Sequence, residues 1–520
     1  MEEKTVFKSG FKSGAMAAVC AVRGREHKLS SPSIFACPKP EGLMHNTLEN
    51  NALENIHDHC GVFGMFLKRG IANSSISKNL FNGLISLQHR GQESAGFSYI
   101  EDEKIHTVKG MGLVTRVLNK RAVRSLDESK SNVVIGHVRY STSGSSSLKN
   151  AHPFYLSIHK TKLALAFNGN VKNTDLVREE LRMDLDREFI SNSDTEVMAC
   201  LFYRELKSER GDIFKAMKRV MLRLDGAYSL TILMDDGRLI AARDPLGFRP
   251  LCIGKNEYGY YVASETCALN ACHARFIRDI KPGEVVVFSK DGMKSKQVVN
   301  AKSHAHCFFE YTYFADVTSK IEGISIYEAR KRMGEILAKK IQKGYNIVIP
   351  VPDSGRTAAI SFAAASGIEY REGLVKNRYI HRTFIMPSQI QRSESVRLKH
   401  RVLKETIEGV NIAVIDDSIV RGTTTKKIIM ALKGAGAKKV AFFSTTAPII
   451  APCFYGIDIP TEKELIANQM RIEQIAKFIG ADILTYMAID DLKKAIGLKK
   501  NDLCIACLTG KYPKLELGNK

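Results

Sequence analysis

Two adjacent carboxylates, Asp416 and Asp417, end an unbroken apolar run from Ile412 to Ile415. A short, partly β-branched run of this kind reads as a strand buried on both faces of a parallel sheet. A loop with Gly422 and three threonines follows, and a helical segment is expected to open at Lys426 and Lys427. Ligands of open α/β sheets bind just beyond the carboxyl ends of the strands. There, unpaired backbone N–H groups and hydroxyls at a helix N-terminus make a phosphate cradle. Carboxylates cannot grip a phosphate, but they hold ribose hydroxyls or a Mg²⁺ that does. A sugar phosphate with a metal-bound second phosphate satisfies both halves. A buried strand ending in an N-cap aspartate is the ordinary alternative.

The longer string Asp416-Asp-Ser-Ile-Val-Arg-Gly-Thr-Thr424 is more specific. It resembles the phosphoribosyl pyrophosphate (PRPP) signature of type I phosphoribosyltransferases, in the form found in glutamine PRPP amidotransferases. The resemblance implies PRPP contacts from Asp416, Asp417, Arg421, Gly422, Thr423 and Thr424. It also implies Mg²⁺ at Asp416, Asp417 and Ser354, the last in the loop closing a second strand, Asn346-Ile-Val-Ile-Pro-Val-Pro-Asp-Ser-Gly355. Between the two strands a basic stretch runs to Lys399 without helical or strand period, as a surface loop does. In the resembled family such a loop closes over PRPP, which makes Lys376, Arg378, Arg382, Arg397 and Lys399 the cations for the departing pyrophosphate. His381 and the segment Asp316-Val-Thr-Ser319 depart from the family pattern.

Cys60 stands in His57-Asp-His-Cys-Gly-Val-Phe-Gly64, at the start of an expected strand. A small buried residue and part of a metal site are both open readings of it. Downstream lie Gln88-His-Arg-Gly-Gln-Glu-Ser-Ala-Gly96, Gly136-His-Val-Arg-Tyr-Ser-Thr-Ser143, Phe167-Asn-Gly-Asn-Val171 and Ser193-Asp-Thr-Glu196. Together these resemble a glutamine amidotransferase domain of the N-terminal-nucleophile class. The resemblance implies Cys60 as nucleophile, with Asn168 and the Gly169 backbone stabilising the oxyanion. Arg139 would pair with the α-carboxylate of glutamine, and Asp194 would hold its α-ammonium with Thr142 nearby. No partner histidine is evident. If the bond before Cys60 is cut, its own α-amine, with a free pKa of about 7.7–8.0, is suited to general-base duty. Taken singly, Asn168-Gly169 is also a hairpin turn signal.

Four further cysteines remain. Cys504 and Cys507 form a C-x₂-C pair, Cys453 lies in Ala451-Pro-Cys-Phe-Tyr-Gly-Ile-Asp458, and Cys307 opens an aromatic-rich junction. By chemistry alone the set is open to zinc, an iron–sulfur cluster, redox work or plain structure. The resemblance selects a [4Fe–4S] cluster, since one subclass of the family carries it on four cysteines placed this way.

The elements that must position these groups follow. The resemblance implies an α+β glutaminase domain of layered αββα form over residues 60–300. A Rossmann-like α/β phosphoribosyltransferase domain with a cluster-binding tail would span 301–520, and residues 1–59 read as leader or propeptide. The start is open among Met1, Met16 and Met44. The 520 residues include Lys+Arg 77 against Asp+Glu 55, a net charge of +22. The basic residues are scattered rather than clustered into a nucleic-acid module, which favours a polyanionic small substrate. No apolar run is long enough to cross a membrane. Eleven cysteines are too few for a disulfide scaffold of this length, and the compartment is read as reducing and cytoplasmic. The implied partners are glutamine and PRPP, purine nucleotides as feedback inhibitors, and further copies of the chain in a homotetramer or other homo-oligomer. The implied reaction is amide transfer from glutamine to PRPP, with ammonia passed internally between the two sites. Two rivals are another glutamine-dependent enzyme of the same nucleophile class and a PRPP-sensing regulator. The first lacks the Asp416 string, and the second needs no Cys60 and carries a DNA-binding module.

Overall fold

A computed structural model describes residues 60–68, 74–140, 147–377, 400–459, 461–498 and 502–518. The expected leader over 1–59 and Thr142, Arg378, His381, Arg382, Arg397 and Lys399 lie outside the described residues.

The first part is built from two stacked sheets of antiparallel strands. In one, the order is Arg275–Asp279, Cys252–Lys255, Gly259–Ala263, Gly61–Leu67, Val133–Arg139, Ser94–Glu101 and Lys104–Met111. In the other it is Gly292–Gln297, Glu284–Ser289, Leu239–Arg243, Gly226–Met234, Thr161–Val171 and Phe154–Ile158. Side chains alternate across a strand, and the sequence uses both faces. Val62 points between the sheets with Ile135, Ala164, Ala166 and Leu233. Its neighbours Phe63 and Met65 face outward, under the helices Ser74–Ser86, Lys120–Glu128 and Thr266–Ala271. Leu163, Leu165 and Phe167 likewise face the helices Thr174–Leu185, Asp194–Ser208 and Ile213–Arg223. The layers therefore run αββα. The Asn168-Gly169 pair does not form a hairpin turn. It lies inside the strand Thr161–Val171, with Asn168 opposite Ser229 and Gly169 opposite Tyr228, because the full-length partner strand keeps the ladder going past it.

The second part is a parallel sheet, ordered Glu369–Tyr370, Ile347–Pro350, Asn411–Asp416, Lys439–Ser444 and Ile483–Tyr486. Both faces are covered, as the continuous apolar runs require. Ala413 and Ile415 meet the helices Ile326–Ala338, Arg356–Ser366 and Ile489–Ile496 on one side. Ile412 and Val414 meet Thr423–Gly434 and Ile472–Ile479 on the other.

One helix starts earlier than the sequence suggests. It opens at Thr423 rather than Lys426, so the threonines form its first turn. Gly422 immediately before it has φ +77, a left-handed conformation that glycine adopts without strain. That turn lets the chain swing from the strand end directly into the helix.

The junction carries a short parallel pair, His306–Cys307 with Leu503–Cys504, which sets Cys307 opposite Cys504. The aromatic residues Phe308, Phe309, Tyr311 and Phe314 pack into the core of the second part. Among the described residues no helix is long and apolar enough to cross a membrane.

Candidate functional site

Cys60 is buried at the head of the strand Gly61–Leu67, and its Sγ donates to the carbonyl of Tyr140 at 3.3 Å. Burial pushes the thiol up to about 11, against the pull of Arg139. A neutral thiol is a poor nucleophile, so the site needs a base. Arg139 and Asp194 both act electrostatically on Cys60, which places the three expected residues around one point. Arg139 Nη1 donates to Glu93 Oε1 at 2.6 Å, a partner that was not anticipated. Asp194 opens the helix Asp194–Ser208, capped by Ser193. Burial raises its carboxyl to about 6, and its hydrogen bonds from Val171 N and Ser193 Oγ are both long, 3.4 Å. A cationic ligand would relieve that cost.

Asn168 is fully buried, and neither its Oδ1 nor its Nδ2 has a hydrogen-bond partner among the described residues. An orphaned buried amide is expensive, and a substrate oxygen is what would satisfy it. Gly169 has φ +151, and a β-carbon there would lie 1.8 Å from the Ala227 carbonyl oxygen. Only glycine fits. Behind this strand, His137 Nε2 lies 2.9 Å from Phe167 O and 3.2 Å from His152 Nδ1, and His152 Nε2 lies 2.6 Å from Thr195 Oγ1. Burial holds both rings neutral, His137 down to about 3. They brace the strand.

A second group was not assigned from the sequence. Arg90, fully buried, donates from Nε to the carbonyl of Cys60 at 3.1 Å and pairs with Glu265 at 2.5 Å and Glu310 at 2.8 Å. Burial opposes its charge, and the two carboxylates outweigh that. Arg249 Nη1 pairs with the same Glu310 at 3.3 Å, and its Nη2 donates to Tyr455 O at 2.6 Å. In the sequence, Arg90 lies inside the Gln88–Gly96 string and Arg249 inside Arg243-Asp-Pro-Leu-Gly-Phe-Arg-Pro250, a strand-and-turn stretch that resembles scaffolding near the glutamine site in the same family.

At the strand end of the parallel sheet, Asp417 is buried and accepts from Ser354 Oγ at 2.5 Å and Ser418 Oγ at 2.6 Å. Burial raises its carboxyl above the usual range, against those two hydroxyls and Arg330. Asp416 Oδ1 accepts from the Asp417 N–H at 2.8 Å. Ser354, in the loop closing one strand, thus meets Asp417 at the end of another. The buried Thr423 hydroxyl has no partner among the described residues, and it sits in the first turn of the helix where an anion would lie. Arg421 is engaged by Glu464 at 3.0 Å and Lys376 by Asp353 at 2.8 Å; both cations are therefore partnered in this arrangement.

Cys307, Cys453, Cys504 and Cys507 line one cavity with Phe248, Arg249 and Tyr455. Burial pushes their thiols up, Cys307 to about 12. Four thiolates can coexist there only beside compensating positive charge. Among the described residues no three His, Cys, Asp or Glu side chains are grouped to hold a metal ion.

The fold is that of an N-terminal-nucleophile glutaminase joined to a type I phosphoribosyltransferase. The glutamine amidotransferase domain family matches residues 137–271. The chain is 44% identical over 470 residues to the amidophosphoribosyltransferase of Methanocaldococcus jannaschii, covering 87% of this chain and 97% of that one. It is 48% identical over 464 residues to the Pyrococcus horikoshii enzyme of the same name, covering 89% and 98%. The solved glutamine PRPP amidotransferase of B. subtilis, complexed with ADP and GMP, superposes with a TM-score of 0.79 at 40% identity, covering 87% and 97%. The chain belongs to the amidophosphoribosyltransferase family. Its reaction is transfer of the amide nitrogen of glutamine to PRPP with consumption of one water, giving phosphoribosylamine, glutamate and pyrophosphate, the first step of purine synthesis.

Proposed function

We propose how this chain divides that reaction between its residues. Cys60 attacks the glutamine amide carbonyl, its freed α-amine acting as base. Asn168 Nδ2 and the Gly169 N–H receive the oxyanion, Arg139 the α-carboxylate, and Asp194, with Thr142, the α-ammonium. For Arg139 this means turning from Glu93 toward substrate. The observation that carries the reading is the buried Asn168 amide, without a partner among the described residues, on the strand whose Val171 N–H bonds Asp194, itself a neighbour of Cys60. Residues 60–300 form the glutaminase unit and 301–520 the PRPP unit. Ammonia passes internally to the ribose C1, held by Asp416, Asp417, Gly422, Thr423 and Thr424. Arg421, Lys376, Arg378, Arg382 and Lys399 supply cations to pyrophosphate as it leaves.

The hard oxygens of Asp416, Asp417 and Ser354 suit Mg²⁺, which would neutralise charge on the pyrophosphate. The four cysteines fit a [4Fe–4S] cluster. They line one cavity, where four thiolates would supply the soft sulfur donors such a cluster requires. Anaerobically purified protein should be brown with about four irons per chain, and Cys504→Ser should lose them. Stoichiometric zinc without iron would overturn the assignment. Purine nucleotide inhibition follows the ADP and GMP of the B. subtilis structure. Homo-oligomeric assembly and a cytoplasmic location complete the reading.

The base assignment is tested by maturation. An amine locked in a peptide bond has no basic lone pair, so the His59–Cys60 bond must be cut before glutamine is used, whatever the length of the leader. N-terminal sequencing of active enzyme should begin at Cys60. Any other first residue would overturn the base and the mechanism built on it.

A further inference from the structure

The strand that carries Asn168 and Gly169 belongs to the glutaminase half, yet its exposed end is covered by a segment nearly three hundred residues later in the chain. Asn170 Nδ2 donates to the carbonyl of Phe454 at 3.0 Å. Gly456 has φ +92, and a β-carbon on it would lie 3.1 Å from the Gly169 carbonyl carbon, 3.3 Å from Arg249 Nη2 and 3.3 Å from Asn170 Cβ. Between these two residues, the Tyr455 carbonyl accepts from Arg249 Nη2 at 2.6 Å. Arg249 then reaches Glu310, Glu310 reaches Arg90, and Arg90 Nε holds the carbonyl of Cys60. All three of these side chains are buried. One three-residue segment therefore abuts the Gly169 backbone directly and is tied to the Cys60 carbonyl through a continuous run of hydrogen bonds and ion pairs.

We propose that Phe454-Tyr-Gly456 is the positioning element of the glutamine site, setting the Gly169 backbone against Cys60. The proposal rests on the assignment of Cys60 and Gly169 given above and goes beyond it. It makes residues of the PRPP half part of the oxyanion geometry. Asn170, Arg249, Glu310 and Gly456 become positioning residues, none touching substrate. The physical basis is that oxyanion stabilisation depends on a fixed donor position, so a small displacement is felt in the transition state and hardly at all in ground-state binding. Two independent features support a built contact rather than chance packing. A φ of +92 is a conformation that L side chains rarely adopt, so the approach to Gly169 requires glycine at 456. The adjoining carbonyls of Phe454 and Tyr455 are each claimed by a side chain from the other half.

The experiment compares Asn170→Ala and Gly456→Ala with the parent enzyme. The first removes the hydrogen bond to Phe454 without adding bulk; the second adds a methyl that must push on Gly169. Each should lower kcat with glutamine by about tenfold to a hundredfold with KM for glutamine within threefold. Synthesis from added ammonia should stay within twofold. Alkylation of Cys60 by iodoacetamide, followed by mass spectrometry, should also stay within twofold. In that reaction the thiolate forms a sulfur–carbon bond and iodide leaves, so no oxyanion develops. An unchanged kcat in both variants would overturn the proposal. So would a fall in alkylation or in ammonia use that matches the fall in kcat, because that would mean general distortion. Loss of glutamine-dependent activity on alkylation of the parent enzyme with Cys60 left unmodified would instead overturn the nucleophile assignment, and the proposal with it.

Discussion

Cys60→Ala abolishes glutamine-dependent synthesis of phosphoribosylamine, by about four orders of magnitude or more, and leaves synthesis from added ammonia. Only the first half-reaction needs a thiolate. The substitution spares the PRPP end because it removes a side chain whose one hydrogen bond among the described residues is to the Tyr140 carbonyl. The Cys60 carbonyl, which Arg90 holds, is unchanged, so the buried charges of Arg90, Glu265 and Glu310 keep their partners. That matters because breaking a buried pair typically costs about 3–5 kcal/mol, enough to unfold the junction. If the thiol also attacks the preceding carbonyl during maturation, the variant keeps the residues before position 60 attached. Mass spectrometry of the purified variant and paired assays with glutamine and ammonia check both outcomes. Undiminished glutamine use would remove Cys60 from the mechanism.

The double substitution Asp416→Asn with Asp417→Asn does the reverse. Both syntheses are lost, with glutamine and with ammonia, while slow glutamine hydrolysis persists uncoupled. A charge-assisted hydrogen bond contributes about 1.5–3 kcal/mol. Two such losses weaken PRPP binding by about a hundredfold to ten-thousandfold. The fold should survive. Asp417 is satisfied by the hydroxyls of Ser354 and Ser418, and hydroxyls rotate to donate or accept as an amide requires. Removing a charge that burial already disfavours costs the apo protein little. The loss therefore falls on ligand and metal rather than on stability. Titration calorimetry with PRPP and Mg²⁺ reads it directly; unchanged affinity would refute the strand-end assignment.

How much of this was legible beforehand depended on range along the chain. The run Ile412 to Ile415 ending at Asp416 and Asp417 was readable because a buried parallel strand has a composition of its own, and the fold places ligands at its carboxyl end. The apolar stretch after Cys60 reads as a strand in the same way, and the strand Gly61–Leu67 forms there. The helix start was misjudged by three residues because the left-handed Gly422 turns the chain sooner than polarity suggests. Asn168-Gly169 carries a turn signal in isolation, and only the paired strand Gly226–Met234 decides that it stays extended.

The sequence by itself thus determined most of the elements, the position of the two strand-end acids and the existence of four further cysteines. Tertiary structure alone decided which of these meet. Cys307 and Cys504 are set opposite each other by a two-residue parallel pair that no local pattern announces. Arg90, Arg249, Glu265 and Glu310 are charged residues of a kind rarely buried unless paired. Their partners come from distant segments, so their burial became visible only once the chain had closed. The physical reason is the range of the forces. Periodicity and turn chemistry act over a few residues and are written there, whereas a buried ion pair exists only where packing excludes water, and packing is a property of the whole chain.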